Sequence, residues 1–245
     1  MGILKAIKKQ KDQILLIGSN VYCNICDKRF RKFKSFGNPV RENSRCPNCY
    51  SLERHRLLNY YFIENNFSDF LTNKSILHVA PEKFFYDQFK NLTKEYQPVD
   101  LLPEEYPFTD GPSVKKEDLT QLSFADDSFD FIMCNHVLEH IPQDAMAMSE
   151  LYRVLKKGGR AILQVPLDYS RDKTYEDDSI VSHEDRHKEF GRYDHVRMYG
   201  KDYANRLSNA GFQVQELKIR DELGAEKCYE YGLMLEDNIF LCTKN

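Results

Sequence analysis

Apolar runs and amphipathic stretches alternate along the last two thirds of the chain. Ile76-Leu77-His78-Val79-Ala80 and Phe129-Asp130-Phe131-Ile132-Met133-Cys134 are short and almost continuously apolar, the signature of strands buried on both faces. Residues 96–99, 160–165, 212–219 and 238–243 read as further strands. Between them lie helical periods. Met148, Leu151, Tyr152 and Leu155 recur at helical spacing, which predicts a helix opened by Pro142, with Lys156 and Lys157 in its last turn and Gly158-Gly159 as its stop. Pro81 suits the first turn of a helix after the first strand, and residues 202–209 predict another helix, ended by Gly211. Leu58, Tyr61 and Phe62 share one stripe of a helix over 51–65. Residues 166–197 are polar and carry no periodic signal. Strands alternating with helices predict an α/β domain, with a mostly parallel sheet covered on both faces.

The region before residue 51 is different. Cys23-x2-Cys26 and Cys46-x2-Cys49, with nineteen residues between the pairs, turn four sulfurs toward one point. That spacing predicts a closed tetrahedral thiolate site, most naturally for structural Zn2+, with two disulfides as the alternative. The expected organisation is a segment and zinc ribbon over 1–50 and a larger domain over 51–245, whose residues 51–74 bridge the two. The ribbon arm, residues 28–36, interleaves Phe30, Phe33 and Phe36 with lysines and arginines, a composition suited to stacking bases and neutralising phosphates. The bland alternative is that the rings cover the metal.

Charge sharpens this division. Residues 1–60 hold thirteen Lys/Arg against four Asp/Glu, in a chain of formal net charge −3. A basic module on an acidic body suits a polyanionic partner such as RNA, or docking of the module on its own chain. The 41% hydrophobic and 30% charged composition is that of a globular protein. No apolar run approaches the ~20 residues of a spanning helix. The patch Ile14–Ile17 lacks the length and cleavage site of a secretory signal, so a cytoplasmic, reducing setting is expected, in which paired cysteines favour metal. Cys134, Cys228 and Cys242 lie in apolar stretches and read as inert buried thiols.

In such sheets ligands bind beyond the strands' carboxyl ends, where strand order reverses. Asp100 follows the first strand's end, Ala80, by twenty residues, a spacing that suits a carboxylate accepting ribose hydroxyls. Asp118 falls where a third connection brings a carboxylate to an adenine edge. Here the residues reach a family. The stretch 122–141, LSFADDSFDFIMCNHVLEHI, and the stretch 150–165, ELYRVLKKGGRAILQV, are similar to segments of class I S-adenosylmethionine-dependent methyltransferases. The resemblance covers roughly 75–245. With the cysteine module, the chain resembles a group of bacterial methyltransferases carrying an amino-terminal zinc ribbon. It implies a Rossmann-like seven-stranded sheet and S-adenosylmethionine held by His78, Ala80, Pro81, Glu82, Asp100, Leu101, Asp118, Leu119, Asn135 and His136.

One departure stands out. The family's acidic residue and Gly-x-Gly-x-Gly loop are replaced by His78-Val79-Ala80-Pro81-Glu82-Lys83-Phe84. S-adenosylmethionine has no phosphate to cradle, and a helix beginning near Pro81 still faces a carboxylate. For a hydroxyl acceptor the chemistry adds a general base. His136, one residue past Asn135, is the first candidate. His195, flanked by Asp194 and Arg197, is the second, followed by Asp168 and Tyr193; Tyr169, His183 and His187 lie in the same polar stretch. His140 reads as a residue that caps or packs the helix after Pro142, and Asp130 as a strand residue with a structural hydrogen bond. No Asn-Pro-Pro-Tyr, Asp-Pro-Pro-Tyr or Pro-Cys, the signatures of base-methylating members of the resembled family, follows the fourth strand, which weakens a nucleobase as acceptor and leaves ribose and other RNA positions open. The expected activity is methyl transfer to an oxygen or nitrogen of a small-molecule or sugar-type (glycan) acceptor. The alternatives are an RNA methyltransferase gripped by residues 28–36 and a non-catalytic binding protein.

Overall fold

The computed structural model describes residues 12–93, 95–234 and 237–245. By contact the chain divides into two units, Met1–Ser68 with Lys218–Asn238, and Asp69–Leu217 with Ile239–Asn245. The sequence reading put the division near residue 50. The difference arises because the helix over 51–65 and a later segment, residues 218–234, both pack with the cysteine region.

In the first unit, β1 (Val21–Cys23) pairs antiparallel with β2 (Lys28–Phe30), and β3 (Lys34–Phe36) with β4 (Arg41–Arg45). Helix α1 (Glu53–Glu64) follows, burying Leu57, Leu58, Tyr61 and Phe62. Its Arg56 is fully buried and uses every guanidinium N–H. Nε donates to the Tyr231 carbonyl at 2.6 Å, Nη1 to Ser51 O at 2.8 Å, and Nη2 to the Ser44 and Gly232 carbonyls at 2.7 Å each. The cation also lies 4.2 Å from the Phe33 ring centre. Losing it would strand the buried Ser44 and Gly232 carbonyls, each costing ~1–3 kcal/mol. Gly232 has φ 59°, and a Cβ there would meet the Phe33 ring at 2.5 Å, so only glycine fits.

The second unit holds a seven-stranded sheet. Its strands are β5 (Ile76–Val79), β6 (Tyr96–Asp100), β7 (Lys115–Lys116), β8 (Phe129–Asn135), β9 (Leu155–Gln164), β12 (Gln213–Leu217) and β13 (Ile239–Thr243), in the order β12-β13-β9-β8-β5-β6-β7. The first five run parallel, and β13 is antiparallel to both its neighbours. Strand order reverses at β5, which is flanked by β6 and β8. Helix α2 (Phe67–Leu71) precedes β5 in the chain, α3 (Lys83–Leu92) and α4 (Asp144–Val154) connect β5 to β6 and β8 to β9, and α6 (Tyr203–Asn209) precedes β12. A large core cluster runs from Leu77 and Val79 through Ile132 and Leu151 to Phe240.

At the amino ends of these strands, Asp130 behaves as the sequence predicts. Its Oδ2 accepts from Ser75 N at 3.0 Å, Ser75 Oγ at 2.7 Å and Lys156 Nζ at 2.8 Å. Burial opposes ionisation there, but these donors hold the carboxyl well below the usual range.

The structure alters several elements. The helix after Pro142 ends at Val154, and Lys156 through Gly159 form an irregular part of β9 rather than a helix stop. Lys156 reaches Asp130, which pulls the chain into the strand. Pro81 lies outside α3, whose cap is Glu82. The segment 218–231, without a clear apolar period, is helix α7 (Ile219–Tyr231), bent at Gly224, where φ is 75°. The polar stretch contains β10 (Tyr175–Glu176), helix α5 (His183–Phe190) and β11 (Arg197–Met198). Among the described residues no helix is long and apolar enough to cross a membrane.

His78, in the middle of β5, is 1% exposed. Its Nδ1 lies 2.9 Å from the Tyr96 hydroxyl, and its ring meets Phe89 edge-on. Burial pushes its pKa from 6.5 down to about 3. The unfolded chain therefore binds a proton below pH 6.5 that the folded chain refuses until about pH 3. Stability from this group is complete above the upper value and declines through the window, by on the order of 4 kcal/mol in total. His78→Gln keeps a partner for Tyr96 without titrating. Urea unfolding between pH 6 and 4 is expected to show a shallower loss of stability in the variant than in the native chain; equal slopes would contradict the assignment.

Candidate functional site

Two strand ends define the crevice. Immediately after β5, Ala80 has φ 47°, and immediately after β8, His136 has φ 54°. Left-handed backbone at residues other than glycine costs ~1–2 kcal/mol each and persists where surrounding structure imposes it. The Ala80 amide donates to Val99 O at 2.9 Å, and the His136 amide to Gln164 O at 2.7 Å, so each turn is tied to the next strand. Ala80 takes the first glycine's place in the altered loop and keeps a backbone shape that glycine adopts freely. Between the turns, Asn135 Nδ2 donates to Glu82 Oε2 at 3.1 Å, while Asn135 Oδ1 is buried without a partner among the described residues.

Asp100, at the end of β6, accepts from Leu102 N through Oδ1 and from the Tyr106 hydroxyl through Oδ2, both at 2.8 Å. Each carboxylate oxygen still has a free lone pair. Leu101 and Leu102 beside it are exposed apolar side chains. Leu119 is buried, and Asp118 is exposed, its carboxylate held by Thr120 N at 2.8 Å and Thr120 Oγ1 at 2.7 Å. Those bonds keep Asp118 below the usual carboxylate range. Pro81 is buried behind the loop. His78 is a core residue, its Nδ1 taken by Tyr96, and it does not join the crevice. The acidic position of the resembled motif has here become packing.

The candidate bases separate into two groups. His136, Glu139, His140 and His195 converge. His136 Nδ1 is 3.5 Å from Glu139 Oε1, and His140 Nε2 is 4.0 Å from the same oxygen. The His140 and His195 rings meet edge-to-face with centres 4.8 Å apart. Arg197, 3% exposed, arranges this meeting by donating to the carbonyls of Leu138, Ile141 and Pro142, while Val196 N donates to Glu139 O at 2.9 Å. The segment carrying His195 is thereby stitched to the loop after β8. Burial lowers the His195 pKa. His140, expected to cap or pack the helix after Pro142, bonds Asp194 O through Nδ1 at 3.0 Å, across the cluster.

The other candidates lie apart from these contacts. Asp168 accepts from Ser170 Oγ at 2.6 Å, Ser170 N and Arg171 Nε at 3.0 Å each, which hold it ionised and below the usual range; a carboxylate so satisfied is a weak base. Tyr193 is 49% exposed and packs on His183, not on His136. Tyr169 donates to Glu216 at 3.2 Å, and His187 is exposed on α5. Glu139, 1% exposed, is the residue that sequence reasoning passed over. Its signal was present in the His136-x2-Glu139-His140 spacing, which groups three ligand-type side chains on one short turn.

In the first unit, Cys23 Sγ and Cys49 Sγ are 3.5 Å apart, and Cys26 Sγ and Cys46 Sγ 3.7 Å, with all four atoms within 4.8 Å of one another. Ligands at ~2.3 Å from one tetrahedral ion stand ~3.8 Å apart, so these sulfurs have metal-site spacing and not the ~2.05 Å of a disulfide. Asp27 and Tyr50, the residues just after each pair, share the left-handed turn, with φ 52° and 63°. Hydrogen bonds from Cys26, Cys46 and Cys49 drive Cys23 toward the thiolate. The aromatic arm is corrected here. Phe30 and Phe33 are buried with Val21, Cys23 and Cys46, and only Phe36 is partly exposed. A core-forming ring cannot stack a base.

Residues 90–163 match the family model described as a methyltransferase domain. Demethylmenaquinone methyltransferase of Streptomyces avermitilis is 44% identical over 46 residues, 19% of this chain and 20% of that protein. The match therefore spans about a fifth of that relative's length. Among solved structures, a SAM-dependent methyltransferase from Archaeoglobus fulgidus superposes over 77% of this chain and 93% of its own, at 15% identity and a TM-score of 0.52. One from Mesorhizobium loti covers 70% of this chain and 90% of its own, at 15% identity and a TM-score of 0.45. The second unit thus has the fold seen in SAM-dependent methyltransferases, and the matched segment includes the ends of β6 and β8.

The strained turn yields a test. Ala80→Gly is expected to raise stability by up to ~1 kcal/mol, whereas Ala80→Val, which resists positive φ, should cost ~2 kcal/mol or more. Thermal or urea melting of the two variants checks the left-handed assignment; a stable valine variant would refute it.

Proposed function

We propose that this chain is an S-adenosylmethionine-dependent methyltransferase acting on an oxygen or nitrogen of a small-molecule or sugar-type acceptor. The observation that supports it best is the pair of left-handed turns at Ala80 and His136, bracketing a buried, half-unsatisfied Asn135 at the strand-order reversal. The residues present suit the cofactor. Asn135 Oδ1 has an unfilled acceptor position for a cofactor N–H, and Asp100 keeps lone pairs for hydroxyl donors beside the exposed apolar Leu101. Glu82, which replaces the second glycine, puts a carboxylate where an ammonium group would be welcome. When bound, the cofactor supplies a methyl group already activated on a sulfonium.

The protein's tasks are then alignment of the acceptor and exclusion of water. His136 is the residue we assign to the acceptor. It is half-buried after β8, and Glu139 lies close enough to orient its ring toward a hydroxyl proton. In the first unit Cys23, Cys26, Cys46 and Cys49 would hold a structural Zn2+, whose binding contributes folding energy. The burial of Phe30 and Phe33 weighs against RNA capture through residues 28–36.

Two measurements test this reading. Calorimetric titration of zinc-loaded protein with S-adenosylmethionine should give one site per chain, weakened at least ~10-fold in Asp100→Ala, since hydrogen bonds to a charged partner contribute ~1.5–3 kcal/mol. No heat of binding would favour a non-catalytic protein. Cys46→Ser is expected to lose bound zinc and to melt at lower temperature; unchanged metal content and melting would contradict the assignment.

A further inference from the structure

We infer that Glu139, His140 and His195 form a binding site for one first-row divalent cation beside the crevice, separate from the cysteine cluster; this deepens the methyltransferase reading and rests on it. Their donor atoms lie within 4.8 Å of one another. Two ligands of one ion at ~2.1 Å stand ~3 to ~4 Å apart, so a small inward rotation of the rings completes the set.

The hydrogen bonds behind the ligands support this assignment. His140 Nδ1 is 3.0 Å from Asp194 O, and His195 Nδ1 is 3.0 Å from Phe190 O. A carbonyl only accepts, so in each ring Nδ1 carries the hydrogen, and in the neutral imidazole Nε2 is left with its lone pair. A backbone carbonyl fixing the tautomer from behind is the usual outer support of a metal-bound histidine. Glu139 supplies the second, independent sign. Its carboxylate is 1% exposed, yet Oε2 has no hydrogen-bond partner among the described residues. A buried carboxylate oxygen without a donor is costly, and a cation is the strongest partner it could be given.

Two imidazoles and one carboxylate suit Mn2+, Co2+ or Zn2+ better than Mg2+, which prefers oxygen. Only three protein ligands are assembled, leaving positions for water and for an acceptor hydroxyl. Side chains of His136 and His140, 34% and 28% exposed, connect the cluster to solvent. The ion would supply Lewis-acid activation of an acceptor hydroxyl, and His136 lies beside the site, 3.5 Å from Glu139.

Mn2+ is the first probe, because it avoids the cysteine sulfurs. Zinc-loaded native protein is titrated with Mn2+, and the free-ion electron paramagnetic resonance signal is followed. The expected result is uptake of one Mn2+ per chain, weakened more than ~10-fold in Glu139→Gln and in His195→Gln. Uptake unaffected by both substitutions would place the ion elsewhere and overturn the proposal. Failure of the native protein to take up Mn2+, and then Co2+ by its visible absorption, would equally overturn it, since the native fold is in use. S-adenosylmethionine calorimetry on the same preparations separates the two ideas. Cofactor binding without Mn2+ or Co2+ uptake removes the cation site alone, and uptake without cofactor binding removes the methyltransferase reading alone.

Discussion

The second unit depends on one strand being paired in parallel on both sides. β5 bonds β6 on one edge and β8 on the other, and it is only four residues long, buried throughout. A strand so placed cannot expose polar positions, which is why even its histidine is neutral and inward. The double pairing also forces the chain leaving β5 and the chain leaving β8 to diverge from adjacent points. Ala80 and His136 bend left-handedly at those points, and Asn135 and Glu82 close the gap between them. The crevice is a consequence of the pairing before it is a consequence of any particular side chain.

Buried charge organises what surrounds it. Arg197 ties three carbonyls of the 138–142 loop to its own segment, and Asp144 receives Tyr199 at 2.7 Å and the Arg206 guanidinium at 2.8 Å. Arg56 plays the same part in the first unit. Each of these groups is expensive to bury and is repaid only by complete hydrogen bonding, so each specifies one arrangement of loops that have little apolar surface of their own. Glu139 differs, since one of its oxygens is left open. That contrast within a single neighbourhood separates a packing network from a site prepared for something else.

Much of the sheet was legible in the sequence because parallel strands buried on both faces, such as β5 and β8, stand out as short apolar runs. The short β7 did not, since two lysines have no apolar period. Helix α7 and the elements within 166–197 were missed for a related reason: they are stabilised by buried arginines and small patches of contact, which leave no stripe to count. The Gly158-Gly159 pair misled in the other direction. Glycine marks a helix end or an irregular strand equally well, and the Lys156–Asp130 ion pair decided for the strand.

The sequence by itself determined the class of sheet, the four-sulfur cluster and the strand end bearing Asn135 and His136, because these depend on periodicity and on ligands close together along the chain. Tertiary structure alone decided that His78 is core, that Phe30 and Phe33 cover sulfur, and that His195 joins Glu139 and His140 across more than fifty residues. Contacts of that separation depend on which loops the buried arginines draw together, and no local pattern encodes a meeting that both partners reach only after the sheet has formed.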